Sequence, residues 1–482
     1  MRERIAQHLS NLLDGDRSPN LLGTAFIGRT KLAAEGEPTV QLPPGYSGHD
    51  YAVFLLHIAA EIEHALMVQY LYAAYSLGGP QVPESRRETV GRWQDILLGI
   101  AKEEMAHFIT VQNVLRVIGG PLNLEREDYP WDVPYAAMAF SLEPLTRASL
   151  ARYVYVESPD DWPADAEPFR KEITALAFEG QPQRPKQVGK LYALMISVLN
   201  DPALVPEHLF QADTLAYQAS WDEWGRGYRD GARGAVSEDS VTPDLIIQTA
   251  YSRATAVAAL QSVATQGEAP NIDSALGEKS HFRRFFDVFR EFPDDAAGWS
   301  PSRPLAKNPT TVSDLPDTTY LEDPASRAWA ELLNLRYRML LTYLGHSFRL
   351  SGGSGIEQDA KARGMVLHYT FGEMYNLRAI SRILVQLPCG GPDRALRAGP
   401  AFEMPYSVDL PYAEHDTWRL HMDLFEAAAP MIERLLENAD GDGKRYLHAL
   451  AELDRSKARA IEAILGAGAF NSGSRRLIGS FA

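Results

Sequence analysis

The chain has 482 residues, 45% apolar and 23% charged, the balance of a folded globular protein; a disordered or collagenous chain is excluded. Forty-seven Lys and Arg against 63 Asp and Glu leave a formal charge of −16, so the overall field repels nucleic-acid phosphates and anionic lipid, and neither is expected as a partner. A single cysteine, Cys389, excludes an internal disulfide framework and a thiolate zinc cluster.

In chain order, residues 1–49 form a lead-in with one short amphipathic stretch at 5–13. No apolar leader precedes Asp14 and Asp16 and no later run is read as long enough to span a membrane, so a cytoplasmic location is expected. Apolar residues then recur at helical spacing over 51–77 until Gly78-Gly79-Pro80, and over 86–118 until Gly119-Gly120-Pro121. The stretch 142–157 reads as irregular and then helical, closed by Pro159. Residues 186–200 and 242–265 predict two more helices, and a short one starts near Ser280. These elements predict a helical bundle over 50–295, with the long stretch after the second helix as a crossover. Five prolines between Pro293 and Pro316, and the loss of apolar periodicity, mark a linker at 296–322. A second helical domain follows at 323–482, with helices over 325–350, 359–387, 416–437 and 442–465 and a Gly/Pro-rich stretch at 388–411 between its halves. The fold class is therefore all-α, with no sheet of more than two strands.

Two positions break the apolar pattern. Glu63 shares its helical face with Leu56, Ala59, Ala60, Leu66, Met67, Tyr70 and Leu71, and an ionised carboxylate there costs several kcal/mol unless it is paired, protonated or metal-bound. On the next helix, Glu104 and His107 are an i, i+3 pair flanked by Leu97, Ile100, Ala101, Phe108, Val111, Val114 and Leu115. Glu-x-x-His is the helical ligand signature of carboxylate-bridged dimetal bundles, although Glu61 and His64 match the spacing too. An ion-paired or hydrogen-bonded core network is the alternative; a buried Glu one helix upstream favours metal. Glu157 shares a face with Leu150, Tyr153 and Val154 just before the stop at Pro159, where a carboxylate can be aimed inward. An ordinary helix-end residue is its alternative.

The run from Glu63 through Tyr70 to Leu77, then Ala101-Lys-Glu-Glu104-Met-Ala-His107, then Tyr153-Val-Tyr-Val-Glu157-Ser-Pro159, resembles successive motifs of the ferritin-like iminophenyl-pyruvate dimer synthase family. Gln266-Gly267-Glu268 and Ser280-His281-Phe282-Arg-Arg-Phe285 are similar to its last block, with a looser echo at 398–405. The resemblance covers about residues 50–295 and implies a ferritin-like bundle with Glu63, Glu104, His107, Glu157, Glu268 and His281 as metal ligands. Glu268 and His281 rest on it alone, and the alternative for His281 is a helix N-terminal residue after a Ser280 cap. Members that couple two aromatic 2-oxo-acid imines are much longer chains than this one.

Other chemistries fit less well. Gly352-Gly-Ser354-Gly-Ile356 misses the nucleophile elbow, 441–445 misses a phosphate loop, and 438–443 imitates the start of a calcium loop without its Glu at the twelfth position, so a helix-to-helix turn is expected. Cys389 reads as a loop thiol, and Glu373 with nearby His368 as core polar groups or a substrate contact. A carboxylate-rich, nitrogen-poor ligand set suits two iron ions, with manganese as the alternative. The expected function is a non-haem dimetal oxidase or oxygenase that uses O2 on a small aromatic or amino-acid-derived metabolite in secondary metabolism. An imine-coupling enzyme and a non-catalytic ferritin-like binding or storage protein are the rivals, the latter disfavoured by the added C-terminal domain.

Overall fold

The structure, a computed structural model, describes residues 40, 42–132, 137–181, 185–224, 228, 229, 232, 233, 245, 247–268, 279–294, 297–352 and 357–466; the expected stretch at 5–13 lies outside them. The chain divides into two compact units, Met1–Arg303 and Pro304–Ala482, and both are helical.

In the first unit the helices are α1 (Gly48–Ser76), α2 (Arg87–Val117), α3 (Arg147–Val156), α4 (Arg170–Phe178), α5 (Val188–Asn200), the single turn α6 (Trp221–Trp224), α7 (Arg253–Glu268) and α8 (His281–Glu291). Local chemistry sets their ends. Ser47 and Asp50 form a reciprocal capping box at the start of α1, and Thr146 and Ser149 do the same for α3. Helix α2 stops where Gly119 takes a φ of +74°, a left-handed conformation that glycine adopts at little cost. Ser280 caps α8 by accepting from the Arg283 amide.

The helix read over 242–265 begins only at Arg253, because the described backbone before it is engaged elsewhere. Gln248 donates its amide to Thr110 and accepts from the Asn113 side chain, while Ala250 exchanges two hydrogen bonds with the Gln218 amide. Helix α4 was not anticipated. It buries only Ile173 and Ala177, a stripe too narrow to announce itself as a period.

Helix α1 packs on α2 and α5, and α7 packs on α5 and α2, closing a four-helix bundle; α3 and α8 lie against each other, with α8 also reaching α7 and α2. Helix α1 is buried almost all round. Against the expectation that no run reaches that length, it is long and apolar enough to cross a membrane by length and composition, but 72% of its most apolar window is buried inside the protein, as in a central core helix. Tyr228–Arg229 (β1) and Ala232–Arg233 (β2) make a two-stranded antiparallel ribbon.

The second unit opens with a parallel pair, β3 (Pro309–Thr310) and β4 (Thr319–Tyr320), and continues with α9 (Pro324–Ser347), α10 (Glu357–Leu384), α11 (Glu414–Asn438) and α12 (Gly441–Gly466). Helix α9 packs on α10 and α11, and α11 on α12, around Met339, Tyr343, Val366, Trp418, Phe425 and Ile461. The calcium-loop imitation is the turn between α11 and α12. Glu373 is a core polar group: fully buried, it accepts from Lys457 at 3.0 Å and from Asn376 at 2.9 Å, and it lies 3.7 Å from Arg336, which is itself paired with Asp454. His368 is exposed. Cys389 is a loop thiol, as expected, but a buried one.

Candidate metal centre

Five elements deliver the six expected residues to one place in the first unit. Glu63 projects from the middle of α1, and Glu104 and His107 stand one turn apart on α2. Glu157 is the residue after the last turn of α3, Glu268 the last residue of α7 and His281 the first of α8. None is more than 5% exposed. Glu268 and His281 are thirteen positions apart in sequence and meet the site from consecutive helix ends, which is why no single-helix spacing links them.

Glu104 sits at the centre. Its Oε2 lies 3.0 Å from His107 Nδ1, which is also 3.5 Å from Glu63 Oε2. Its Oε1 lies 3.0 Å from His281 Nδ1, which is 3.8 Å from Glu157 Oε2. Two half-sites therefore share one carboxylate: Glu63 and His107 on one side, His281 and Glu157 on the other. The imidazoles stack at 5.2 Å. Glu268 lines the same cavity but is turned toward α5, where its carboxyl accepts from the Gly189 amide. A Cβ at position 189 would overlap that carboxyl, so the approach as seen is open to glycine alone.

The second nitrogen of each imidazole is also engaged. His281 Nε2 is 2.8 Å from Glu103 Oε2 and His107 Nε2 is 2.8 Å from the Gln266 side-chain oxygen. With those nitrogens donating, each neutral ring turns the Nδ1 lone pair toward carboxylate oxygens. A lone pair facing a carboxylate is repulsive unless a cation, proton or metal, lies between them. Glu63 Oε2, Glu104 Oε1 and His281 Nδ1 are buried without a well-directed hydrogen bond, and Glu104, His107 and His281 each offer a ligand atom within 4.8 Å of the others. Oxygen and imidazole donors in this arrangement suit a metal cation.

The electrostatics agree. Burial, reinforced by the Glu104 charge, pushes Glu63 up to about 7 and Glu157 up to about 8. Burial also acts to raise Glu104, but the His281 and His107 partners outweigh it and hold that carboxyl well below its ordinary range. Burial likewise opposes the charged form of His281, yet Glu104 and Glu103 overcome it and lift the imidazole to about 9. Burial keeps Glu268 well above the usual carboxylate value, with the Gly189 amide only partly offsetting it. The site as it stands holds protons where a metal would hold positive charge.

The cavity measures about 20 Å³, room for one water-sized occupant, and Leu66, Val188, Val263 and Ala264 supply its apolar wall. Further residues touch the site beyond the six expected ones. Tyr192 donates its hydroxyl to Glu63 Oε1 at 2.5 Å, while Glu103, Gln266 and Arg284 orient or neutralise the ring nitrogens, Arg284 being paired with Glu103. Glu103, Gln266 and Arg284 stand on α2, α7 and α8 within three residues of Glu104, Glu268 and His281, whereas Tyr192 comes from α5, which carries none of the six expected residues.

Residues 56–290, the stretch that holds all six residues, match the family model described as Ferritin-like. Dichlorochromopyrrolate synthase of Lentzea aerocolonigenes is 29% identical over 378 residues, covering 71% of this chain and 35% of that protein. The 2-imino-3-(indol-3-yl)propanoate dimerase of Chromobacterium violaceum is 25% identical over 441 residues, covering 84% and 39%. The chain thus spans less than two fifths of the length of either relative. A ferritin-like protein of known structure from Caulobacter vibrioides covers 71% of this chain and 98% of its own at 16% identity, with a TM-score of 0.38.

Proposed function

We propose that the centre holds two iron ions, with manganese as the alternative, and consumes O2 while oxidising a small aromatic or amino-acid-derived metabolite. The observation that carries this is the division of Glu104, one oxygen toward each imidazole, with a further carboxylate at each end. Bound iron would supply the two-state redox chemistry that reacts with O2. The chain's own residues do the rest. Glu63 and His107 hold one position, His281 and Glu157 the other, and Glu104 joins them. Glu103 and Gln266 keep the Nδ1 lone pairs aimed inward. Leu66, Val188, Val263 and Ala264 keep bulk water from the carboxylates.

The cavity of about 20 Å³ lies at the ligand carboxylates themselves, with Leu66, Val188, Val263 and Ala264 as its apolar wall. A ring-sized substrate requires the side chains lining that cavity to part. The name of the Chromobacterium violaceum relative favours a second, narrower version, in which the metabolite is an aromatic 2-imino acid and the product a coupled dimer.

The test is to load the full chain anaerobically with ferrous iron and expose it to O2 with a panel of aromatic 2-oxo acids, amino acids and their imines. Oxygen uptake should depend on one substrate class and yield an organic product. Mineral formation without organic product across the panel supports storage, and turnover by metal-stripped protein contradicts the proposal.

A further inference from the structure

Outside the expected ligands, two buried phenols touch the centre, one on each half-site. Tyr192, from α5 and 1% exposed, donates to Glu63 Oε1 at 2.5 Å. Tyr70, from α1 and fully buried, donates to Glu157 Oε1 at 2.6 Å. In both carboxylates the phenol takes one oxygen and leaves the other, Oε2, facing an imidazole Nδ1, at 3.5 Å from His107 for Glu63 and at 3.8 Å from His281 for Glu157. The match is pairwise: terminal carboxylate, phenol on Oε1, Oε2 inward.

We propose that Tyr192 and Tyr70 are positioning residues that restrict Glu63 and Glu157 to one ligating oxygen each and fix the direction in which that oxygen points. This rests on the dimetal assignment and adds to it who orients the two end carboxylates. The physical reason is that a buried carboxylate can rotate about its last torsion and offer one oxygen or two. A hydroxyl hydrogen bond to one oxygen stabilises the orientation in which that oxygen is turned away from the cation. The phenols are themselves held. Tyr70 packs edge-on against Tyr153 and Phe285, each 4.9 Å away between ring centroids, so its hydroxyl has little freedom to follow a carboxylate that turns. Tyr192 also lines the cavity, so its ring forms part of the wall that the carboxylate faces. Among the described residues no phenol donates to Glu104, which is shared by both half-sites, as a carboxylate that must offer both oxygens requires.

The experiment uses the metal-free full chain titrated with Co(II), whose visible absorption reports coordination number and geometry, in wild type, Tyr192→Phe, Tyr70→Phe and Tyr153→Phe. Phenylalanine keeps the ring and removes only the hydroxyl. Tyr153 is an equally buried ring whose hydroxyl makes no hydrogen bond to a ligand, so it controls for packing. The clamp predicts Co(II) affinity lower by about 10- to 100-fold in Tyr192→Phe and Tyr70→Phe, with an altered absorption envelope in each. Tyr153→Phe should match wild type in both. If Tyr192→Phe does not fold, Tyr70→Phe reads the other half-site independently. Wild-type affinity and spectrum in the folded Tyr→Phe variants at 192 and 70, or an equal loss in Tyr153→Phe, overturns the clamp while leaving the dimetal assignment intact. A wild-type chain that binds no Co(II) overturns both.

Discussion

Glu104 keeps its proton off while its neighbours hold theirs, and this contrast gives the metal-free protein a defined response to pH. Glu63 near 7 and Glu157 near 8 are raised above an ordinary value of 4.5, and His281 near 9 is raised above 6.5. A raised pKa means that the folded state binds the proton more tightly than the unfolded chain, so the stabilisation is complete at low pH and is lost as pH rises through the folded value. Glu104 and Glu103 are lowered and act in the opposite sense, but their contribution is already complete above about pH 5 and does not change in the window concerned. The metal-free chain should therefore melt at lower temperature at pH 9 than at pH 6. Metal should reverse the trend, because ligation requires those same protons to leave. Apparent affinity for Co(II) should rise by roughly tenfold per pH unit for each proton displaced. Thermal melts with and without Co(II) from pH 6 to 9 check both signs, and a metal-free chain that is most stable at pH 9 contradicts them.

How far these residues were legible in sequence depends on how local their signal is. Glu104 and His107 show themselves because three residues bring two side chains to one point on a helix, and Glu63 because its neighbours at helical spacing are all apolar. Glu157 was visible through Pro159, which ends the helix just beyond it. Tyr192 and Gln266 carried no such mark. A tyrosine on an apolar face and a glutamine near a helix end are ordinary, and only the packing of α5 and α7 on α1 and α2 gives them partners.

At the scale of elements, helix existence followed from periodicity and Gly/Pro punctuation, whereas boundaries failed where side chains from other segments captured the backbone. The delayed start of α7 is the clearest case, with Asn113, Thr110 and Gln218 holding 248–250 out of the helix. In the second unit the charges buried between α9, α10 and α12 were half legible. Glu373 stood out on an apolar face, but its cationic partners Arg336 and Lys457 lie on helices far away in sequence. Two cations and two carboxylates balance there: Arg336 donates to Asp454 at 2.9 Å through one nitrogen and is paired with it through a second. Removing one partner leaves a buried charge without compensation. Arg336→Met should therefore destabilise this unit by about 3 to 5 kcal/mol in urea unfolding, far more than the loss of an exposed ion pair such as Arg419 with Asp423. A loss below about 1 kcal/mol would show that the cluster is solvated or repacks freely.

For the whole molecule, the net charge of −16 favours the approach of divalent cations, and the ferritin-like domain concentrates part of that charge in a buried cluster that ordinary folding would avoid. The alignment with each relative covers under two fifths of that relative, so the resemblance bears on the domain and its chemistry more than on the complete reaction either relative performs. Glu63, Glu104, His107, Glu157 and His281 are proposed to hold two ions in two half-sites joined by one carboxylate. Metal stoichiometry after anaerobic loading of the full chain with ferrous iron tests this central claim most directly, measured on wild type, His107→Ala and Glu104→Ala. Two half-sites predict about two ions per chain in wild type, about one in His107→Ala, and loss of most of the metal in Glu104→Ala, where both half-sites lose a ligand. A wild-type chain free of metal under saturating ferrous iron, or a Glu104→Ala variant that still carries two ions, would contradict it.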